Sequence, residues 1–297
     1  MARLAAIVTV ILSIVSVGAW LAGYPHMANV LASFFGLDWV KPYHTVKFVY
    51  FVPVIADRGT MIMISGAIVA AMVPVYFYAR QRYTELRMFE EQLIEFLLIL
   101  PGMLAASPST ADALLRTARM LRPPFNSYVE RMARIYASTG DLERAFNEAF
   151  TAAPSKVRIL ARSVVTAAKT GGHIHIVLSK VAAYADASRR LVGLAEARLS
   201  EYKMIAGLAA VAYALTAGVT VALVAQATAV PLPGMTTRID TGVLAGLYFY
   251  SLIMIVVASS IVIARVVYGY IALASKYIAM LLPLSLAVYL AAPIIIF

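Results

Sequence analysis

Residues 60–87 read TMIMISGAIVAAMVPVYFYARQRYTELR. Thr60–Ala79 contains no Asp, Glu, Lys, Arg or His, and Arg80, Arg82 and Arg87 follow at once. A run of roughly 20 apolar residues is what a helix needs to cross the hydrocarbon core of a bilayer. Arginines gathered just beyond such a run mark its cytoplasmic end. The stretch predicts a spanning helix that leaves the membrane and opens into a charged domain.

Four more runs share this character: Leu4–Tyr24, Met204–Ala227, Val243–Ala264 and Tyr277–Phe297. The composition agrees. Hydrophobic residues make up 62% and charged residues 13%, where soluble domains have roughly 45–50% and 25%. Mean hydropathy is +0.83. So short a chain cannot bury that much apolar surface in water. Soluble enzyme, secreted protein and disordered regulator are excluded. With no cysteine in the chain, disulfide frameworks, thiolate zinc sites and cysteine nucleophiles are excluded too.

The net charge is +10, and it is unevenly placed. Residues 80–203 hold 18 Lys/Arg and 12 Asp/Glu, and the rest of the chain holds 7 and 3. The reading is an all-α, polytopic membrane protein with about five transmembrane helices and one cytoplasmic six-helix bundle. Residues 1–79 form an N-terminal membrane region with two spans and an outer loop. Residues 80–203 form the cytoplasmic helical domain, and residues 204–297 a C-terminal membrane region with three spans. Placing 80–203 in the cytoplasm puts 21 basic residues inside and 4 outside, as the positive-inside rule requires. The N-terminus is then inside and the C-terminus outside. Residues 25–59, with Pro25, Pro42 and Pro53 among many aromatics, read as a loop on the outer membrane surface, with Trp39, Tyr43 and Tyr50 near headgroups, or alternatively as holding a re-entrant or short helical piece. Pro74, Pro283 and Pro293 are expected to kink their spans.

Within 80–203 the apolar residues recur at helical spacing, as in Leu93, Phe96, Leu97, Leu100 and Leu104. Ser107-Pro108-Ser109 supplies a cap and a first-turn proline. Pro123-Pro124 stops one helix. Gly140-Asp141 ends another and caps the next. Pro154 starts a fifth helix, and Gly171-Gly172 ends it and opens the sixth. No strong breaker follows from His173 to Lys203, so the sixth helix is expected to run on into the third span.

Three stretches carry a resemblance. They are Leu100-Pro101-Gly102-Met103-Leu104-Ala105-Ala106-Ser107, Gly140-Asp141-Leu142-Glu143-Arg144-Ala145-Phe146, and Ala168-Lys169-Thr170-Gly171-Gly172-His173-Ile174 with Val177-Leu178-Ser179-Lys180-Val181-Ala182. Their order, spacing and place between spans resemble the F domain of type II secretion and type IV pilus assembly platform proteins. His173 departs from the acidic or amide cap more usual there. Members with one such domain look like tight-adherence (Tad-like) and archaeal pilus platforms. The resemblance implies a non-catalytic multi-pass protein of the cell membrane. Its implied partners are a hexameric secretion or assembly ATPase, pilin subunits, the lipid membrane, and a second copy or sister platform supplying the second domain. Pro101, Gly102, Gly140, Asp141, Gly171 and Gly172 are its structural motif residues.

Arg116, Arg119 and Arg122 repeat at every third position, and Arg131 and Arg134 follow on the next helix. They are candidates for docking an acidic rim of the ATPase. A solvated face, or attraction to anionic headgroups, fits the same residues. No G-x-x-x-x-G-K-[ST] loop occurs, no catalytic constellation is expected, and no cofactor or metal is implied. His173 and His175, two apart, do not converge on one ion. Spans free of Asp, Glu, Lys, Arg and His argue against an ion-coupled transporter. An alternative to the platform is a membrane conduit in a pilus-derived DNA-transfer or protein-secretion system.

Overall fold

The computed structural model describes every residue except 1, 50–51, 152, 154–161, 163–164, 166–173, 230–239 and 297. The described chain is nearly all helix: α1 (Ala2–Phe35), α2 (Arg58–Ala106), α3 (Thr110–Met120), α4 (Phe125–Thr139), α5 (Leu142–Ala149), α6 (Ile174–Ala229), α7 (Thr241–Tyr268) and α8 (Ala274–Ile296). Strands β1 (Val46–Val49) and β2 (Val52–Ile55) complete it with two short 3-10 turns. Five helices are long and apolar enough to cross a membrane. The chain divides into two compact units, Met1–Arg80 with Glu196–Phe297, and Gln81–Ala195.

In the first unit, α1 and α2 are joined by side chains that reach across to backbone carbonyls. Ser16 donates to Ala70 O at 2.7 Å, Ser13 to Ala71 O at 3.2 Å and Trp20 Nε1 to Met63 O at 2.9 Å. Small hydroxyls can play this part because helix association in lipid relies on close packing and polar contacts rather than on the hydrophobic effect. The second half of α6 packs on α7 and α8 through Ala210, Ala214 and Ala217, which face Val256, Phe249 and Leu286 among others. Tyr289 donates to Ala245 O at 2.9 Å.

The expectation of a loop over the whole of 25–59 needs correction at residues 25–35, which are helical. Helix α1 passes through Pro25 and ends at Phe35. The stop is Gly36, whose φ of +67° lets its N–H return to Ala32 O at 3.0 Å. Away from water, a run of apolar residues has no competing partner for its amides, so the helix continues past one missing donor. Strands β1 and β2 then form an antiparallel ladder, with Val46 opposite Ile55 and Phe48 opposite Pro53. Val54 and Ile55 are buried against α7, and Tyr250 donates to Pro53 O at 2.8 Å. At Gly246 any Cβ would sit on the Val54 side chain and the Ile55 carbonyl, so only glycine permits this approach. Asp57 caps α2, its Oδ2 accepting from Thr60 N at 2.9 Å, Thr60 Oγ1 at 2.8 Å and Tyr43 N at 3.0 Å. Helices α2 and α8 run on through Pro74, Pro283 and Pro293.

The second unit has its own core. Leu93, Phe96, Leu97 and Leu100 of α2 meet Leu114 and Ala118 of α3, Phe125, Val129 and Met132 of α4, and Phe146 and Phe150 at α5. Aromatic rings dominate its centre. Phe146 stacks on Phe150 at 4.7 Å, and Phe125 meets Phe150 edge-on at 5.7 Å. The helix boundaries follow local chemistry. Ser109 accepts from Asp112 N at 3.2 Å and caps α3. Gly140, at φ +69°, ends α4, with its N–H on Tyr136 O at 2.8 Å. Asp141 Oδ1 accepts from Glu143 N and Arg144 N at 2.9 and 3.2 Å and starts α5. The expected fifth helix from Pro154 and the Gly171-Gly172 break lie outside the described residues, Arg162 and Val165 apart. Helix α6 is unbroken from Ile174 to Ala229.

Candidate functional site

All five candidate arginines are exposed. Arg116 and Arg119 lie on the side of α3 away from Ala113, Leu114, Thr117 and Ala118, which are buried. Arg122 follows in the turn before Pro123. Arg131 and Arg134 lie on α4, whose buried side carries Phe125, Val129, Met132 and Ala133. Two of the five are already matched by carboxylates one turn earlier. Arg116 Nε is 2.8 Å from Asp112 Oδ2, and Arg134 lies 3.9 Å from Glu130. Exposed pairs of this kind are worth about 0.3–0.5 kcal/mol, but they offset two of the five positive charges. Arg119, Arg122 and Arg131 have no ion-pair partner among the described residues. The unmatched positive charge is thus narrower than the five-residue motif suggests.

The acidic stretch of α2 is paired, as its neighbouring arginines imply. Arg82 lies 3.6 Å from Glu85. Glu91 lies 3.6 Å from Arg189 on α6, a partner about a hundred residues away that the local pattern could not name. Of the motif residues, Pro101 and Gly102 sit inside the last turns of α2 without ending it. Gly140 and Asp141 form the junction of α4 and α5. Gly171 and Gly172 lie outside the described residues.

The membrane unit holds features that the sequence reading passed over. A cavity of about 730 Å³ is lined by Trp20, Trp39, Gly66, Pro283 and other apolar residues, together with the buried Ser65. Lys47 of β1 pairs with Asp240, which also caps α7 through Gly242 N at 3.0 Å and Val243 N at 3.3 Å. The Lys47 ammonium and these two amides hold the Asp240 carboxyl below its ordinary range. An aspartate just before an apolar run is a readable cap signal, but its pairing with Lys47 is not. Among the described residues no group of three or more His, Asp or Glu is placed to hold a metal ion.

These features define an all-α membrane protein with one charged helical unit between its spans. Residues 96–222 match the family model described as type II secretion system (T2SS), protein F. The match begins in the buried face of α2 at Phe96, crosses α3 to α5 and ends in the membrane-spanning half of α6. Over those residues the chain is similar to that family. No curated protein and no solved structure matches the chain.

Proposed function

We propose that this protein is the cytoplasmic-membrane platform of a type IV pilus-like assembly machine, coupling a hexameric cytoplasmic ATPase to the insertion of pilins into a filament. The observation that carries this reading is the family match over 96–222, which spans a charged helical unit and the start of a membrane helix. In this reading residues 80–203 are cytoplasmic, the C-terminus is outside, and a second copy or sister platform supplies a second F domain. Arg119, Arg122 and Arg131, with Arg116 and Arg134 behind their carboxylates, meet an acidic rim of the ATPase. Electrostatic steering of that kind raises the rate of encounter more than it raises affinity. No chemical step is assigned to the chain.

The test is purification of the tagged full chain from its own membranes in gentle detergent, followed by mass spectrometry. A secretion ATPase and a small one-span pilin in the eluate support the reading. A nuclease or helicase in their place favours the DNA-transfer conduit. Triple reversal of Arg119, Arg122 and Arg131 to Glu is expected to remove the ATPase and keep the pilin. Because the chain has no cysteine, orientation is testable with a single cysteine at exposed Ser138. An impermeant maleimide is expected to label it only after lysis.

A further inference from the structure

Residues far apart in sequence meet where α7 ends and α8 begins. Lys203 of α6 donates to the Tyr268 hydroxyl at 3.3 Å, and its ammonium stands 5.0 Å from the centre of that ring. The Tyr268 and Tyr277 hydroxyls are 3.0 Å apart. Lys276 lies 5.6 Å from the centre of the Tyr277 ring. Arg265, one turn before the end of α7, reaches Gly269 O at 3.4 Å. Lys203 is half-buried, and Lys276 and Arg265 are exposed.

Neither lysine has a carboxylate partner among the described residues. A lysine at a membrane boundary ordinarily extends its ammonium into water. Lys203 instead turns onto an aromatic face and a phenol. Lys203 donates into Tyr268, and either phenol of the Tyr268–Tyr277 pair can be the donor between them, so one of the two phenol protons is left to donate elsewhere. The cluster then presents ammonium, guanidinium and hydroxyl donors and no charged acceptor. Its complement is an anion with several oxygens. Beside it Ile261, Val262, Val266, Ile271 and Met280 expose apolar side chains. An anion that also carries hydrocarbon fits both surfaces.

We propose that Lys203, Tyr268, Tyr277 and Lys276 form a headgroup site for one anionic phospholipid, with its phosphate between the two ammonium groups and its acyl chains along α7 and α8. Basic pockets between spanning helices take acidic headgroups by this chemistry. The site depends on the chain spanning a membrane and stands whether or not the platform reading holds.

The test is native mass spectrometry of the detergent-solubilised full chain with added phosphatidylglycerol or phosphatidylcholine. The expected result is one phosphatidylglycerol held in preference to phosphatidylcholine. Lys203→Gln with Lys276→Gln is expected to weaken that binding roughly 30-fold, at about fivefold per basic residue. Lys203→Arg with Lys276→Arg is expected to keep it. Tyr277→Phe, which retains the ring, is expected to cost about tenfold. Equal binding of the two lipids by the wild type overturns the proposal, and so does an undiminished preference in the glutamine pair. If millimolar inorganic phosphate abolishes the preference, the ligand is free phosphate and the lipid site is refuted.

Discussion

Replacing Phe125 with Ala tests whether residues 81–195 hold together by a core of their own. The side chain is wholly buried and meets Phe89 at 6.3 Å, Phe96 at 5.9 Å and Phe150 at 5.7 Å between ring centres. Phe→Ala in a core costs about 3–5 kcal/mol, lost ring contacts included. With three rings losing a partner, about 4 kcal/mol is expected, out of a typical domain stability of about 5–15 kcal/mol. Tryptophan fluorescence is blind here, because Trp20 and Trp39, the chain's two tryptophans, lie outside 81–195. The assay is hydrogen exchange on the full chain in detergent, followed at the amides of Leu114, Val129 and Phe146. The loss corresponds to exchange faster by roughly 10³-fold. Amides of Leu252 and Val256, in the other unit, are expected to keep their protection. Met120→Ala, at a side chain 54% exposed, serves as control and should cost under about 0.5 kcal/mol. An acceleration below tenfold, or one shared equally by Leu252 and Val256, refutes the idea of a separate aromatic core.

Gly140→Val forces a β-branched residue into a left-handed conformation at the end of α4 and should cost about 1–2 kcal/mol, read from exchange at Tyr136 and Gly140's neighbours. Asp141→Ala removes the cap of α5, with an expected loss of about 1 kcal/mol confined to Glu143–Phe146. Gly246→Leu drives a side chain into Val54 and the Ile55 carbonyl and is expected to release the hairpin, measured as new proteolysis between residues 44 and 57. The Lys47–Asp240 pair sets a pH dependence. The Asp240 carboxyl is depressed in the folded chain, so its contribution is complete above the ordinary carboxylate value of about 4. That contribution fades as the pH falls through the depressed value. Protection at Val46–Val49, taken relative to the intrinsic exchange rate at each pH, should therefore be steady from pH 7 to 5 and fall below about 4, and Lys47→Met should remove this step.

Signals written in neighbouring residues were the legible ones. Ser109, Pro123-Pro124, Gly140 and Asp141 mark helix ends because a cap or a left-handed turn needs only the next few residues. Spans such as Thr60–Ala79 declare themselves by length and absence of charge. Residues 25–35 were not legible as helix because a proline opens them, while the stop, Gly36, stands in an apolar run. The hairpin was hidden because Val52-Pro53-Val54-Ile55 does not alternate. It is buried by α7, not by its own pattern. The arginine motif was visible, and Asp112 and Glu130 four residues ahead of Arg116 and Arg134 already foretold its partial neutralisation. Glu91 with Arg189, Lys47 with Asp240, and Lys203 with Tyr268 were beyond reach. Nothing in a local window says which distant helix will lie alongside.

The hairpin fastens early chain to late chain, and this orders events at the ribosome. Its partners Asp240 and Tyr250 lie 193 and 197 residues beyond Lys47 and Pro53. At roughly 5–20 residues per second of synthesis, β1 and β2 wait about 10–40 seconds before α7 arrives to cover Val54 and Ile55. During that interval an exposed two-stranded edge, which has little stability alone, stands open to other chains. Folding of the first two spans is therefore provisional until the fourth is threaded. A truncation before residue 240 should yield a protein that inserts but is cleared by quality-control proteases.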